Sequence, residues 1–262
     1  MLLQEYDESP RAVINPADII APVLGMPKVL VSCFASVTFE RMLALLDARP
    51  IAASGSANMT YPIYRAEVEG VPIALQMAGV GAPLCAAILE EAFAMGVETV
   101  VLFGNCGVLD RRIADCSVIL PTSALRDEGT SFHYAPPSDE MEVNPRYREL
   151  FLQVLAEHGV SCTMGKTWTT DAFYRETPEK VRRRREQGCV CVEMEAAAVA
   201  AMAQFRGKEA FIFFYAGDSL DGDGWDARSL SGHAKIDEKD RVAYLALETA
   251  RRIALEKQQR EV

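Results

Sequence analysis

The sequence predicts an α/β fold: a single domain of three layers, in which a mostly parallel or mixed central sheet is flanked by helices. Three observations predict it. The chain has 262 residues, half of them hydrophobic; it contains short apolar runs of strand length; and helical patterns separate many of these runs. This much apolar sequence can form one large core, so we take residues 1–262 as one domain. Residues 1–27 are expected to form an extension that packs on the domain or on a neighbouring subunit.

Each element is predicted from a local pattern. The apolar run KVLVSC (28–33) predicts a strand, and the amphipathic stretch 36–47 predicts a helix. Residues 61–78 predict a hairpin that turns at Glu69 and Gly70, because strand-like residues lie on both sides of this pair. Beyond the hairpin, helices are predicted at 82–96, 145–158, 178–187, 195–206 and 237–258, and strands at 97–105, 115–123, 160–169, 189–194 and 209–217.

The longest irregular stretch is the loop 126–144, RDEGTSFHYAPPSDEMEVN. Loops of this length without secondary structure are uncommon in compact domains and often carry a function. We therefore expect this loop to act as a lid or as a subunit contact.

The charge of the chain bounds its partners. A net charge of −10 and a pI near 4.9 argue against nucleic acid and against anionic membrane surfaces, since both favour a basic face. The N-terminus has neither a basic region nor a long apolar region, and no apolar stretch approaches the roughly 18 to 20 residues that span a bilayer. We therefore expect a cytoplasmic protein with a small-molecule partner.

The cysteines and histidines do not suggest a metal site. The seven cysteines are scattered, mostly in strand-like apolar runs, and form no CxxC pair, so we expect reduced, buried thiols. The three histidines lie far apart and far from carboxylates or cysteines at ligand spacing. We expect no metal and no cofactor.

Four polar or glycine-rich clusters follow predicted strands. In an open α/β sheet, ligands bind beyond the carboxyl ends of the strands, so these clusters are expected to converge in space. They are GVGAP (79–83), GNCG (104–107), the triplet Glu193, Met194 and Glu195, and GDS (217–219).

The acidic triplet is the most informative cluster. A buried carboxylate needs a hydrogen-bonding or charged partner, because an unpaired one costs several kcal/mol. Glu193 and Glu195 could bind vicinal sugar hydroxyls through charge-assisted hydrogen bonds, or they could simply favour the start of the following helix. We favour the sugar. The turn GVGAP (79–83) could cradle an anion or a ribosyl oxygen, or be no more than a tight strand-to-helix turn.

Two further residues have a functional and a structural interpretation. Asp218, at the end of the apolar run FIFFYA, could be a proton donor with a raised pKa or the cap of a turn. Phe173 could stack on a planar ligand, although packing is the commoner role of such a residue. The run RRRRE (182–186) is interpreted as a solvated helix face.

Taken together, these motifs resemble the nucleoside phosphorylase family, most closely its uridine phosphorylase and hexameric purine nucleoside phosphorylase branches. The resemblance covers residues 14–255, and its most specific part is VEMEAAAVAAMAQFRG (192–207). The fold it implies is the phosphorylase/hydrolase-like fold. The other matching motifs are the hairpin ending in GVGAP, the strand into GNCG, the segment PTSALRDEGTSFHYAPP, the stretch TTDAFY and the strand end GDS.

The resemblance implies a role for each matching residue. Glu195 would bind the ribose hydroxyls, Met194 would pack on the sugar and Glu193 would lie close to sugar and base. Phe173 would stack on the base. The remaining roles implied are Asp218 and Arg228 as catalytic acid and its orienting partner, and Cys106 and Gly107 as base contacts. The candidate phosphate contacts are Gly81, Asn105 and Arg126.

The implied reaction is cleavage of an N-ribosyl bond through an oxocarbenium-like transition state, with phosphate as co-substrate and no cofactor. The residues that read uracil in uridine phosphorylases match Thr177 and Glu179 here, which favours a purine. The resemblance also implies a homo-oligomer, either a dimer or a hexamer built as a trimer of dimers.

The sequence departs from the family at the phosphate site, where a glycine, three arginines and a threonine are replaced. Three missing arginines would weaken phosphate binding by orders of magnitude. Hydrolysis by water therefore stays open as an alternative, as does a non-catalytic nucleoside-binding protein. The glutamate that acts as general base in related nucleosidases matches Thr38 here, and Glu40 lies two residues further on. The family's phosphate residues match Phe34, Thr38, Leu102, Asn105 and Met59, its sugar-binding histidine matches Arg11, and the possible replacements are Arg126, Arg65, Arg11, Arg111 and Arg112.

Overall fold

A computed structural model describes residues 2–222 and 224–260. Within this part of the chain, ten strands form one mixed sheet. The predicted α/β class is confirmed. The strands are β1 (Val29–Cys33), β2 (Arg49–Gly55), β3 (Thr60–Val68), β4 (Val71–Met77), β5 (Thr99–Val108), β6 (Val118–Asp127), β7 (Glu140–Glu142), β8 (Cys162–Thr170), β9 (Cys189–Glu193) and β10 (Glu209–Ser219).

Helices connect the strands and cover both faces of the sheet. Short 3-10 turns at Leu2–Gln4, Thr130–His133 and Phe173–Arg175 add to them. The α-helices are α1 (Pro16–Ile19), α2 (Ser36–Leu45), α3 (Ala82–Met95), α4 (Arg148–Glu157), α5 (Pro178–Glu186), α6 (Ala196–Phe205) and α7 (Ile236–Arg260).

Part of the sheet closes into a ring. Strand β10 pairs with β5 on one side and with β6 on the other, and the series β6, β8, β9 leads back to β5. Strands β1, β4, β3 and β2 extend the sheet from β5. Five strand pairings are parallel and five antiparallel, so the sheet is mixed, and it is not the fully open sheet that the strand-end argument assumed.

The alternation of apolar side chains along the central strands produces two cores. On one face, Leu30 and Leu102 pack with α3 and α6. On the other face, Val31 and Val101 pack with α2, α4 and α7. Because successive side chains of a strand point to opposite faces, strands that are apolar at every position require helices on both sides. This is the predicted three-layer arrangement.

Most predicted elements are present, with boundaries shifted by a few residues. The hairpin turn is where the sequence places it: Glu69 and Gly70 both have positive φ, 48° and 76°, as a two-residue hairpin loop with a type I′ turn requires. Strand β2 was not predicted. The loop 126–144 was predicted to be irregular, but it contains the end of β6, the turn Thr130–His133 and strand β7.

The cluster GNCG was predicted at a strand end, and this prediction is wrong because β5 continues through it to Val108. Its glycines are instead places of close approach. A Cβ on Gly104 would lie 2.6 Å from the ring of Phe34, and one on Gly107 would lie 2.4 Å from Leu220. The strand can therefore stay regular while bulky neighbours pack directly on its backbone.

The N-terminal segment contacts the helical face formed by α3 and α6. The backbone N–H of Val23 donates to Met95 at the end of α3, over 2.9 Å. Near the end of α6, Arg206 donates to the carbonyl of Pro10 over 3.4 Å. Two side chains of the segment, Val13 and Leu24, are fully exposed.

Candidate functional site

The predicted clusters meet at one end of the central strands. The backbone N–H of Gly81 donates to the Glu195 carboxylate over 2.6 Å, which joins the glycine turn to the acidic triplet. In the sheet register, Gly107 lies opposite Val192 on β9 and opposite Asp218 on β10. Although GNCG lies within a strand, the convergence predicted from the sequence therefore holds.

Glu195 is held in the turn between β9 and α6 with only 5% of its surface exposed. One carboxylate oxygen accepts from Gly81, and the other accepts from the N–H of Met194 over 3.3 Å. Burial, and then the neighbouring charge of Glu193, raise the pKa of Glu195 to about 8, against the effect of the two amides. Near neutral pH this carboxyl group can therefore donate as well as accept a hydrogen bond.

Glu193 has a different environment, because both of its oxygens are already occupied. One accepts from the hydroxyls of Thr167 and Thr169 over 3.1 and 2.6 Å, and the other from the amides of Glu195 and Ala196 over 2.8 and 2.7 Å. A carboxylate offers about four acceptor positions. Glu193 thus accepts from the N-terminus of α6, which is the alternative that the sequence left open, and it also binds the threonines of β8.

Neither acid of the pair is neutralised by a basic residue in the described chain. The hydrogen bonds that Glu193 and Glu195 accept there come from backbone amides and threonine hydroxyls. Burial is the largest cause that raises the pKa of Glu193 as well. Two buried acids without a cation are costly to the fold, so the pair is unlike an ordinary structural salt bridge.

Asp218 lies half-buried near the end of β10. Its Oδ2 accepts from the indole N–H of Trp225 over 2.7 Å, and its Oδ1 lies next to Gly107, 3.3 Å from where a Cβ would stand. Burial is the main cause that raises the pKa of Asp218, while Trp225 and then Arg228 oppose the rise. A raised pKa favours the protonated form of Asp218, and a protonated carboxyl group can act as a proton donor.

Arg228 contacts the backbone rather than Asp218. Its guanidinium donates to the carbonyl oxygens of Ile113 and Arg111 over 2.8 and 3.2 Å, and it lies 3.5 Å from Asp226. Its charge still acts on Asp218 from a distance. The predicted orienting hydrogen bond to Asp218 is made by Trp225.

Glu176 and Trp225 belong to this site, although neither was predicted. Glu176 lies half-buried after β8, and burial together with the charge of Asp218 raises its pKa to about 7. Its only signal in the sequence is its position three residues after Phe173. Trp225 lies in the turn-rich segment after Asp218, where nothing in the pattern distinguishes it from an ordinary loop residue.

The remaining predicted sugar and base contacts vary in exposure. Phe173 is 49% exposed beside Tyr174, with ring centroids 4.1 Å apart, so one aromatic surface is open to a ligand. Met194 is half-buried between the two acids. Cys106 is buried and its thiol donates to the carbonyl of Tyr215, so this side chain is not available to a ligand.

The predicted phosphate contacts are engaged within the protein. The amide of Gly81, expected to hold an anion, binds the carboxylate of Glu195. Asn105 packs closely against Gly217: a Cβ added to Gly217 would lie 2.8 Å from the Cβ of Asn105. Phe34, which matches the family's phosphate-loop glycine, packs its ring on Gly104. An apolar side chain therefore fills the turn after β1.

Arg126 is also used internally. Its guanidinium donates to Ser131, Pro136, Ser138 and Ala135 over 2.8 to 3.4 Å, and these bonds hold the 126–144 loop together. The phosphate contact predicted for Arg126 would therefore require breaking the bonds that order this loop.

The other candidate arginines have partners or positions of their own. Arg65 donates to the carbonyl of Gly25 over 2.9 Å, before the start of β1. Arg112 pairs with Asp110 and is exposed. Arg11 is exposed, 3.9 Å from Asp18. The backbone N–H of Arg111 donates to an aspartate of the Asp218 loop.

Two small cavities lie away from the acids. One, of about 140 Å³, is lined by residues that include Lys28, Arg65 and Lys257. The other, of about 60 Å³, is lined by residues that include Asn144 and Gln204. Within residues 2–222 and 224–260, no three or more His, Cys, Asp or Glu side chains cluster as metal ligands. No helix of the same residues combines the length and apolar character needed to cross a membrane.

The fold and the site together define a class of protein. It is a three-layer α/β protein in which two buried acids, without a basic partner among the described residues, lie between the end of β9 and the start of α6. The family model of the phosphorylase superfamily matches residues 28–257. The chain belongs to the phosphorylase superfamily.

Three similar proteins illustrate the range of this family. A guanosine phosphorylase of Halorubrum lacusprofundi is 32% identical over 173 residues, 65% of this chain and 70% of that protein. A uridine phosphorylase of Escherichia coli is 24% identical over 185 residues, 65% and 72% of the two chains. A purine nucleoside phosphorylase of the DeoD type from Alkaliphilus metalliredigens is 29% identical over 159 residues, 58% and 66%.

Proposed function

We propose that this protein is a nucleoside phosphorylase that cleaves the N-ribosyl bond of a purine nucleoside, producing a free base and ribose 1-phosphate. The observation that carries the proposal is the environment of Glu195. It is a buried carboxyl group, oriented by two backbone amides and without a basic partner in the described chain. Such a group is suited to bind the adjacent hydroxyls of a ribose.

The other residues of the edge fit the same reaction. Glu193 supports Glu195 by fixing the backbone at the start of α6. Met194 lies between the two acids, next to the proposed sugar, and the exposed ring of Phe173 offers a stacking surface for the base. Cleavage moves positive charge onto the sugar and negative charge onto the base, so an acid on the base side stabilises the transition state. Asp218 is that acid.

A purine is favoured over uracil for two reasons. Asp218, with its raised pKa, can protonate a departing purine ring nitrogen, and Glu176 adds a second carboxyl group beside it. The positions at which uridine phosphorylases read uracil carry Thr177 and Glu179.

Hydrolysis of the same bond is the second candidate, and the packing of Phe34 on Gly104 favours it. An apolar ring stands where the family's phosphate loop has a glycine, and Arg126 binds its own loop. With fewer cations at the anion site, water would compete better with phosphate as nucleophile.

A turnover assay tests the proposal. The purified protein is incubated with guanosine, inosine, adenosine and uridine, each with and without phosphate, and the products are separated by chromatography. Ribose 1-phosphate that appears only with phosphate, and faster from purine nucleosides, is the expected result. Free ribose that forms at the same rate without phosphate would show that the reaction is hydrolysis and would contradict phosphorolysis. Nucleoside binding without turnover would contradict both reactions.

We also propose that the protein acts as a homo-oligomer in the cytoplasm. The family resemblance supports this, as do apolar side chains such as Val13 and Leu24, which the single chain leaves fully exposed. Light scattering on the purified protein should give a mass that is a multiple of 28.8 kDa. A monomer at micromolar concentration would contradict the oligomer.

A further inference from the structure

The loop after β10 folds back onto the acid that precedes it. Ser219 and Asp226 exchange two backbone hydrogen bonds, of 2.9 and 3.0 Å, and form a β-bridge. The bridge brings Trp225 opposite Asp218, although Trp225 lies seven positions further along the chain. The contact between the indole and the carboxylate is thus built into the backbone.

The two oxygens of Asp218 have different surroundings. Oδ2 accepts from the Trp225 indole over 2.7 Å. Oδ1 lies beside the backbone of Gly107, where the side chains of Leu220 and Val192 also pack. An indole N–H can only donate, so the oxygen that it binds must act as an acceptor. Because the carbonyl oxygen of a protonated carboxyl group accepts better than its hydroxyl oxygen, protonation of Asp218 is favoured at Oδ1.

We propose that Trp225 is a positioning residue of this site: by donating to Oδ2, it confines the transferable proton of Asp218 to Oδ1, the oxygen beside Gly107. This inference rests on the proposed function, in which Asp218 protonates the departing base. The proton leaves Oδ1 for a base nitrogen as the C–N bond breaks, and the bonding electron pair goes to the base. Asp218 is left as a carboxylate.

The same contact assists the transfer itself. A hydrogen bond to an ionised carboxylate is about twice as strong as one to a neutral group, so the Trp225 bond strengthens as Asp218 becomes charged. The indole thus lowers the pKa of Asp218, in opposition to the burial that raises it. Trp225 is 63% exposed.

Other groups around Asp218 have to be separated from Trp225 in any test. They come from the same loop, from the segment after β8 and from β5. These groups are Arg228 and Asp226 on the loop, Glu176 on the segment and Cys106 on β5.

The first test is spectroscopic and needs no turnover. The chain has two tryptophans; Trp168 is fully buried and Trp225 is largely exposed, so subtracting the emission of Trp225→Phe from that of the wild type isolates Trp225. Its emission should titrate with pH in the wild type, and Asp218→Asn should abolish this step. A step that survives Asp218→Asn would come from another group and would overturn the proposal, as would the absence of any step.

The second test is the pH profile of kcat/KM. Activity requires protonated Asp218, so kcat/KM should fall at alkaline pH. Trp225→Phe removes a hydrogen bond that favours the charged form of Asp218, so it should shift this alkaline limb to higher pH by about half a pH unit or more. Tyr244→Phe, another exposed aromatic, is the matched control and should leave the limb in place. A uniform loss of rate without a shift would mean that Trp225 only supports the fold, and would overturn the proposal.

The two tests separate this inference from the proposed function. If the wild type turns over no nucleoside, the proposed function fails and Asp218 delivers no proton. The emission titration then still decides whether Trp225 and Asp218 are coupled. If turnover is present and the emission step is missing, the inference alone fails.

Discussion

The backbone nitrogen of Gly81 and the Oε1 atom of Glu195 lie 2.6 Å apart, although 114 residues separate them in the chain. Gly81 is the N-cap of α3 and has a φ of 93°, which a glycine adopts without strain. The N-terminus of a helix favours an anion. The sequence leaves open whether this turn cradles an anion or is only a tight turn, and in the structure the carboxyl group of Glu195 occupies it.

The first prediction concerns stability and pH. Burial raises the pKa of Glu195 from 4.5 to about 8, so the folded protein binds this proton more tightly than the unfolded chain does. The stability that this proton provides is complete below about pH 4.5 and is lost as the pH rises towards 8. Glu195→Gln should therefore stabilise the protein at pH 8, by on the order of 2 kcal/mol, and much less at pH 5.

Chemical denaturation at the two pH values measures this effect. The exposed Glu149, changed to Gln, is the control and should show little difference between them. An equal effect of Glu195→Gln at pH 5 and pH 8 would mean that Glu195 titrates normally.

The second prediction concerns Glu193. Removal of its carboxylate in Glu193→Ala leaves two threonine hydroxyls and two amides buried without an acceptor. Unfolding free energy should fall by about 3 kcal/mol or more, as measured by urea denaturation. Glu193→Gln keeps one acceptor oxygen and should lose less. A stable Glu193→Ala protein that had lost only nucleoside affinity would instead assign Glu193 to the ligand.

The third prediction concerns Asp218. Asp218→Asn keeps the shape and removes the proton donor, so purine nucleoside turnover should fall at least about 10²-fold, the usual scale of a general acid. Steady-state kinetics measure the loss, with Asp237→Asn on the exposed side of α7 as the control. Near-normal turnover of Asp218→Asn would remove this role.

The fourth prediction separates structure from phosphate binding at Arg126. Because its guanidinium holds the 126–144 loop, Arg126→Met should lower the melting temperature and expose the loop to protease. The KM for phosphate should change little in the fraction that remains folded. A stable variant whose KM for phosphate is raised tenfold or more would instead show that Arg126 contacts phosphate.

The sequence predicts the fold well where the signal is local. Strand β1 and the turn at Glu69 and Gly70 follow from apolar runs and turn chemistry alone. Strand β2 was missed because its sequence, RPIAASG, begins with arginine and proline and is largely exposed, so it lacks the alternation of a buried strand. Closure of the ring depends on β10 pairing with both β5 and β6, a long-range choice that no local pattern encodes.

In the candidate site, too, local patterns predict some residues, whereas others depend on contacts between distant parts of the chain. Clusters at the ends of predicted strands identify Glu195 and Asp218. They do not reveal that Glu193 is saturated by two threonines of a neighbouring strand, because this depends on the register between β8 and β9. Trp225 was not predicted because the Ser219–Asp226 bridge that brings it to Asp218 forms only in three dimensions.

Glu195 as the ligand of the ribose hydroxyls is the central feature of the proposed site, and calorimetry tests this contact directly. Guanosine and 2′,3′-dideoxyguanosine are titrated into the wild type and into Glu195→Ala. Glu195→Ala should weaken guanosine binding by at least about tenfold, since it removes hydrogen bonds to two hydroxyls that contribute about 1 kcal/mol each. It should leave binding of the dideoxynucleoside nearly unchanged. An equal loss for both ligands would contradict the sugar contact.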